Sequence, residues 1–263
     1  MRLRCGGIPA LMVLLIVILT AGCASTPAQA PGELANRDPL ENYNRRMYAF
    51  NDALDRAFIK PLARGYQLIT PSIVDRGVSN FFANLDDITV AVNDLLQAKF
   101  AQAAADTGRF LINTTLGIGG LFDVASSLGL EKHDEDFGQT LGYWGVPSGP
   151  YLVLPLLGPS TLRDAPTLVA ERYTTPWPYL DLATIEQRGI DLIAAVDLRA
   201  DLMGAEKVVN QMALDRYATI RDSFLDRRLN KVYDGNPPQS EQSFDPIKEL
   251  EMLEELESLD ASQ

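Results

Sequence analysis

The chain has 263 residues, with 23 Lys or Arg against 35 Asp or Glu, a net charge of −12, two cysteines and one histidine. So acidic a balance excludes nucleic acid as a partner, because phosphate contacts need clustered cations. It also excludes membrane contact driven by basic patches. A single histidine leaves too few ligands for a transition-metal centre, so neither metal nor cofactor is expected.

Arg2 and Arg4 precede Ala10–Leu19, an uncharged apolar run of ten residues. A bilayer-spanning helix needs roughly 20; ten suit the core of a secretory signal. Leu19-Thr20-Ala21-Gly22-Cys23 follows at once. Small residues before a cysteine at the end of such a core resemble the site read by lipoprotein signal peptidase, with Thr20 where Leu is commonest. Ala24, in place of a retention Asp, resembles an outer-membrane address. The alternative is ordinary secretion, with cleavage at Ala28-Gln29-Ala30, but that site lies far from the apolar core. The reading is therefore a signal peptide over residues 1–22, lipid on Cys23 and a flexible Ala- and Pro-rich tether over 23–37. Cys5 leaves with the signal and Cys23 is acylated, so the domain must be stable without cross-links. Loss of Arg2 and Arg4 takes the net charge from −12 to −14.

Asp38-Pro39 opens the folded part, Asp suiting an N-cap and Pro a first helical position. Leu40, Tyr43, Met47, Phe50, Leu54 and Phe58 recur every three or four residues, as in a helix with one apolar stripe. Pro61 stops or kinks it. Shorter helices are expected over Ile73–Phe82, Leu85–Leu96 and the Ala-rich Phe100–Ile112. No strict alternation with hairpin turns stands out, so the fold class is all-α, with a helical domain over 38–233.

The middle is unusual. Phe110–Leu130 has 21 residues and one charge, Asp123; Phe137–Leu162 has 26 and none. Pro147, Pro150, Pro155 and Pro159 forbid one straight helix in the second run, and Asn113, Thr114, Thr115 and Asp123 make the first a poor span. A buried hairpin and a lipid-facing segment fit the composition equally. Between the runs, Glu131–Asp136 with His133 reads as a solvated charged turn. Two helices follow, about Leu182–Met203 and Glu206–Tyr233, parted near Gly204. Asp234–Gln263 carries nine acidic residues and one Lys and reads as a mostly disordered tail, with Pro246–Leu259 a possible docking helix.

Catalytic sets are missing. Gly145-Val146-Pro147-Ser148-Gly149 has the wrong spacing for a nucleophile elbow. Gly117-Ile118-Gly119-Gly120 lacks the third glycine and the strand–helix–strand setting of a dinucleotide loop. Gly138-Gln139-Thr140-Leu141-Gly142 fits G-x-x-x-G but says little within a Gly-rich stretch. A lipid-modifying enzyme is thus the weakest class, and no catalysis is expected.

Longer strings resemble the VacJ/MlaA lipoprotein family: Asp38-Pro39-Leu40-Glu41 with Asn44 and Arg45, Tyr48-Ala49-Phe50-Asn51, Gly77-Val78-Ser79-Asn80-Phe81, and Arg109-Phe110-Leu111-Ile112-Asn113 leading to Leu116–Gly120 and Asp123-Val124-Ala125. Phe137–Gly142, Gly149-Pro150-Tyr151, Leu154-Pro155 and Arg163-Asp164 complete the set, in family order over about 38–165. The resemblance implies a helical ring in the inner leaflet of the outer membrane. Its channel would pass mislocalised phospholipids to a periplasmic carrier protein, maintaining lipid asymmetry, with a porin trimer as membrane partner. It also implies lipid-facing or channel positions at Phe50, Asn51, Asn113, Gly117, Gly119, Gly120, Asp123, Tyr151, Leu154 and Pro155. The glycines among them are expected to allow close packing or a bend. The competing expectation is a structural adaptor that scaffolds an envelope complex without moving lipid.

Overall fold

Pro61 leaves the clearest mark on local structure. In the computed structural model, which describes residues 38–175, 179 and 183–238, helix α1 (Glu41–Leu54) does not stop at this proline. It runs through a π-helical turn, Asp55–Ile59, into α2 (Lys60–Ile69). Pro61 has no N–H to return to the preceding turn, and the ladder widens just ahead of it, where the Lys60 amide reaches back to Asp55 O. Asp38 does not cap α1 either: it is buried and accepts from Asn44 Nδ2 at 2.7 Å and from the Tyr217 hydroxyl.

The two short helices expected over 73–96 are one, α3 (Ser72–Leu96), which starts behind Pro71. A tight turn with Ala98 at φ 61° leads to α4 (Phe100–Thr115), packed along α3. A Gly-rich loop and the short α5 (Val124–Ser127) follow, then the charged segment 131–136 and α6 (Phe137–Tyr143).

The second uncharged run, for which a buried hairpin was one of two readings, holds an antiparallel β-hairpin of β1 (Tyr151–Leu154) and β2 (Gly158–Thr161), with Tyr151 opposite Thr161 and Leu154 opposite Gly158. It is too short to show a period, and its tip needs a left-handed turn at Leu156 (φ 66°) and Gly158 (φ 83°). Four helices complete the fold: α7 (Thr167–Thr174), α8 (Thr184–Asp201), α9 (Met203–Met212) and α10 (Arg216–Val232). The expected parting near Gly204 falls at Leu202, between α8 and α9. A second interruption lies at 213–215, where Asp215 caps α10 by accepting from Ala218 N at 3.2 Å. All these elements belong to one unit, Arg37–Pro237. Cys23, its tether and the Pro246–Leu259 segment lie outside the described residues.

Apolar clusters are small. Ala63, Val196 and Ala200 join α2 to α8; Tyr151, Val153 and Tyr217 join β1 to α10, with Met47, Tyr48 and Phe224 around them.

Candidate functional site

Polar residues fill the faces that the helices bury. On α3 these are Asn84, Asp87, Thr89, Asn93 and Asp94 beside Val90 and Ala91; on α4, Asp106, Arg109 and Asn113 beside Ala103. The spacing of the α4 set puts it on one stripe facing α3. Each group then needs a partner, because an unpaired buried polar group costs about 1–3 kcal/mol.

Arg109 organises one end of this interior. Its guanidinium donates to both carboxylate oxygens of Asp123 at 3.2 Å and to Ser126 Oγ at 3.0 Å, and it lies 3.7 Å from Asp87. Asn113 donates to Asp123 at 3.0 Å and accepts from Ala125 N at 2.8 Å. Burial alone would raise the Asp123 carboxyl; the hydrogen bonds from Ser126 and Asn113, with the Arg109 charge, hold it at about 2. The glycines close the same loop in two ways. A Cβ on Gly117 would meet Phe122 O at 2.2 Å, and one on Gly120 would meet Asn84 Nδ2 at 2.7 Å, so these two permit close packing. Gly119 faces open space and serves the bend instead, with φ 69°.

Deeper in, Asp94 and Asp106 face each other, both fully buried. Neither Asp94 oxygen, nor Asp106 Oδ1, has a donor among the described residues. Two such carboxyls share a proton. Burial first, then the hydrogen bond to Asp106 and the charges of Asp106 and Glu135, push the Asp94 carboxyl up to about 7.

The charged segment 131–136 is solvated only in part: Glu131, Lys132 and Asp134 are exposed, Glu135 is buried, and charges along it are paired across the fold. Lys132 Nζ donates to Asp87 at 2.5 Å, His133 Nδ1 lies 2.7 Å from Asp106, and Lys231 donates to Asp134 at 2.5 Å. Lys99 and Gln97 donate to Glu135 at 2.8 and 2.7 Å, and Arg228 holds Asp136. The partners lie far off in sequence, so local composition could not reveal the pairing. Arg228 also donates to Asp164 at 2.7 Å, as does Arg163. This explains the Gly138/Gly142 pair dismissed above: a Cβ on Gly138 would sit 2.2 Å from Arg228 Nη2, and one on Gly142 2.6 Å from Arg163 Nη1.

At the hairpin, α1 acts as a polar edge. Asn44 donates to Tyr151 O at 3.0 Å and accepts from Val153 N at 2.8 Å. One heptad on, Asn51 donates to Leu154 O at 2.8 Å and accepts from Leu156 N at 2.8 Å. Two carboxamides thus satisfy four main-chain groups of β1 and its tip.

The ten positions implied by the family resemblance fall into two groups. Asn113, Gly117, Gly119, Gly120 and Asp123 build the Gly-rich loop; Phe50, Asn51, Tyr151, Leu154 and Pro155 surround the hairpin. Phe50, Gly119 and Pro155 are exposed, while Asn113, Gly117, Gly120 and Tyr151 are buried and act through packing and hydrogen bonds. None of the ten lines the two polar cavities, which lie elsewhere. One, of about 310 Å³, lies between α3, α7 and residues 134–136; the other, of about 390 Å³, lies between those residues and the end of α10. Asp86, Glu171 and Arg172 of the first cavity were missed by the sequence reading, since paired carboxylates are too common to single out.

The outer surface completes the inversion. Phe58 is 62% exposed, Leu68 86%, Ile118 66%, Trp144 65% and Leu156 77%. The α1 stripe follows suit: Leu40, Tyr43, Phe50 and Phe58 face outward, and the only buried residue of α1 is Asn44. Among the described residues, no helix is long and apolar enough to cross a membrane.

Fold and site together define a helical protein that buries many paired polar groups and exposes many large apolar side chains. The MlaA lipoprotein family model matches residues 36–231, and the chain belongs to that family. It is 35% identical over 214 residues to the intermembrane phospholipid transport system lipoprotein MlaA of Escherichia coli (strain K12), covering 80% of this chain and 82% of that protein. The Haemophilus influenzae protein of the same name is 32% identical over 249 residues, covering 92% and 98%. A solved structure reported as the structural basis for maintenance of bacterial outer membrane lipid asymmetry superimposes with a TM-score of 0.65 at 32% identity, covering 76% of this chain and 99% of that one.

Proposed function

We propose that this chain is an outer-membrane lipoprotein that moves phospholipid without catalysis. It would be anchored through Cys23 and seated in the periplasmic leaflet by its apolar exterior. Mislocalised phospholipid would leave the outer leaflet through the polar interior for a periplasmic carrier, with a porin trimer as neighbour. The observation that carries this reading is the inversion itself. A protein that admits a phospholipid must offer apolar surface to acyl chains and a polar route to the headgroup, and it must satisfy the polar groups internally. The relatives' role in intermembrane phospholipid transport agrees with it. His133, the sole histidine, sits on Asp106 rather than beside a serine, which favours passage over hydrolysis.

The test is the phospholipid content of the outer leaflet in a strain lacking the gene. It should rise, and fall again when the wild-type gene is restored. An unchanged outer leaflet with an intact envelope complex would favour the adaptor reading.

A further inference from the structure

The cavity between α3 and α7 has a chemistry of its own. Five carboxylates line it, of which Asp134, Glu135 and Asp136 are matched by Lys231, Lys99 and Arg228. Asp86 and Glu171 have no ion-pair partner among the described residues. Asp86 is exposed to the cavity, yet protein encloses it closely enough that burial pushes its carboxyl pKa up. Burial likewise raises Glu171, to about 7. Arg172 lines the same cavity. Its ion-pair partner among the described residues, Asp191, is 2.9 Å away in a half-exposed pair, and such pairs exchange easily for another anion. The lining is therefore two unmatched acids beside one exchangeable guanidinium.

Helix α7 continues the pattern outward. Leu168 borders the cavity, while Val169 and Tyr173 are 66% and 61% exposed on the same two turns. A molecule with its polar end in the cavity would find apolar surface at the rim. A small metal ion is a poorer match, since no group of three His, Cys, Asp or Glu among the described residues is placed to hold one.

We propose that this cavity is a headgroup site that selects a zwitterionic ammonium–phosphate headgroup over an anionic one. The proposal rests on the phospholipid-transport reading above. The ammonium meets Asp86 and Glu171, and the phosphate meets Arg172. An anionic headgroup brings the phosphate alone and leaves both acids unpaired beside it, an arrangement disfavoured in a partly desolvated space.

The experiment uses the full chain, purified in detergent and mixed with vesicles of equal phosphatidylethanolamine and phosphatidylglycerol. Lipid retained after re-isolation is read by mass spectrometry. Wild-type protein should hold the ethanolamine lipid in about threefold excess, the scale of a partly exposed ion pair. In the isosteric double variant Asp86→Asn/Glu171→Gln, total lipid should persist and the ratio should fall to that of the vesicles. These substitutions keep the side-chain shape and break no ion pair among the described residues, so the fold should survive. Asp86→Lys provides a second reading and should shift the ratio towards phosphatidylglycerol. A wild-type ratio equal to that of the vesicles, or a preference kept by the double variant, overturns the headgroup site and leaves phospholipid binding intact. A preference erased by added Mg²⁺ assigns the acids to a divalent cation and also overturns it. No phospholipid on the wild-type protein overturns this site and the transport reading together.

Discussion

Asn44 shows how far a single side chain carries this fold. It is fully buried, donates to Asp38 and Tyr151 O, and accepts from Val153 N. Asn44→Ala would take a partner from one Asp38 oxygen and from two main-chain groups at once, so it should cost about 2–4 kcal/mol, read as a lowered denaturation midpoint in detergent. A loss under about 1 kcal/mol would mean that water replaces the carboxamide. The glycines of the loop divide the same way. Gly120→Ala must push a Cβ against Asn84 at a φ of 91°, whereas Gly119→Ala meets open space at φ 69°. The first should destabilise by about 2–3 kcal/mol and the second by about 1. Equal losses would contradict the close approach at Gly120.

Asp94 gives the interior a pH signature. Its carboxyl sits at about 7 in the fold and near 4 in an unfolded chain, so the folded state binds the proton more tightly. Its contribution is complete below about pH 4 and is lost as the pH rises towards 7. Asp123 and Glu206, both held at about 2, act oppositely: their contribution is present above about pH 4 and is lost as the pH falls towards 2. Asp94→Asn supplies a permanent donor to Asp106. It should raise stability at pH 7.5 relative to pH 5 by about 1–3 kcal/mol in denaturant titrations. A variant that declines with pH as steeply as wild type would refute the shared proton.

At the scale of elements, the sequence declared its helices well and its turns poorly. The α1 stripe, the Ala-rich α4 and the two C-terminal helical patterns are periodic, and the structure has helices there. The boundaries moved for physical reasons. Pro61 widened the helix instead of ending it, because a π turn absorbs the missing donor. Two patterns around Phe82 merged because nothing between them breaks a helix. The strands of the hairpin in 151–161 were hidden, since four-residue strands among prolines and glycines carry no usable period. What the pattern could not tell was which way a stripe faces. An apolar stripe on α1 looks the same whether it meets a core or an apolar surrounding, and only the exposure of Leu40, Tyr43 and Phe50 shows the direction. The charged segment 131–136 hid its ion pairs for a related reason. Its charges looked solvated because Lys99, Lys231 and Arg228, which neutralise them, are distant in the chain.

For the whole molecule, the family strings were legible from the start, while the cavities were not. The strings mark residues that shape the chain: Asn44 and Asn51 at the hairpin, Arg109, Asn113 and Asp123 at the loop, Gly138 and Gly142 at the Arg228 cluster. They leave the cavity walls almost untouched, and the route for lipid lies with those walls in this account. The most direct test places a photocrosslinking residue at Thr175, on the wall of the α3–α7 cavity, and another at Leu116 on the apolar exterior. Both are irradiated in living cells. Phospholipid adducts at both positions are the predicted result; adducts at Leu116 with none at Thr175, in a folded and correctly localised protein, would contradict passage of lipid through the polar interior.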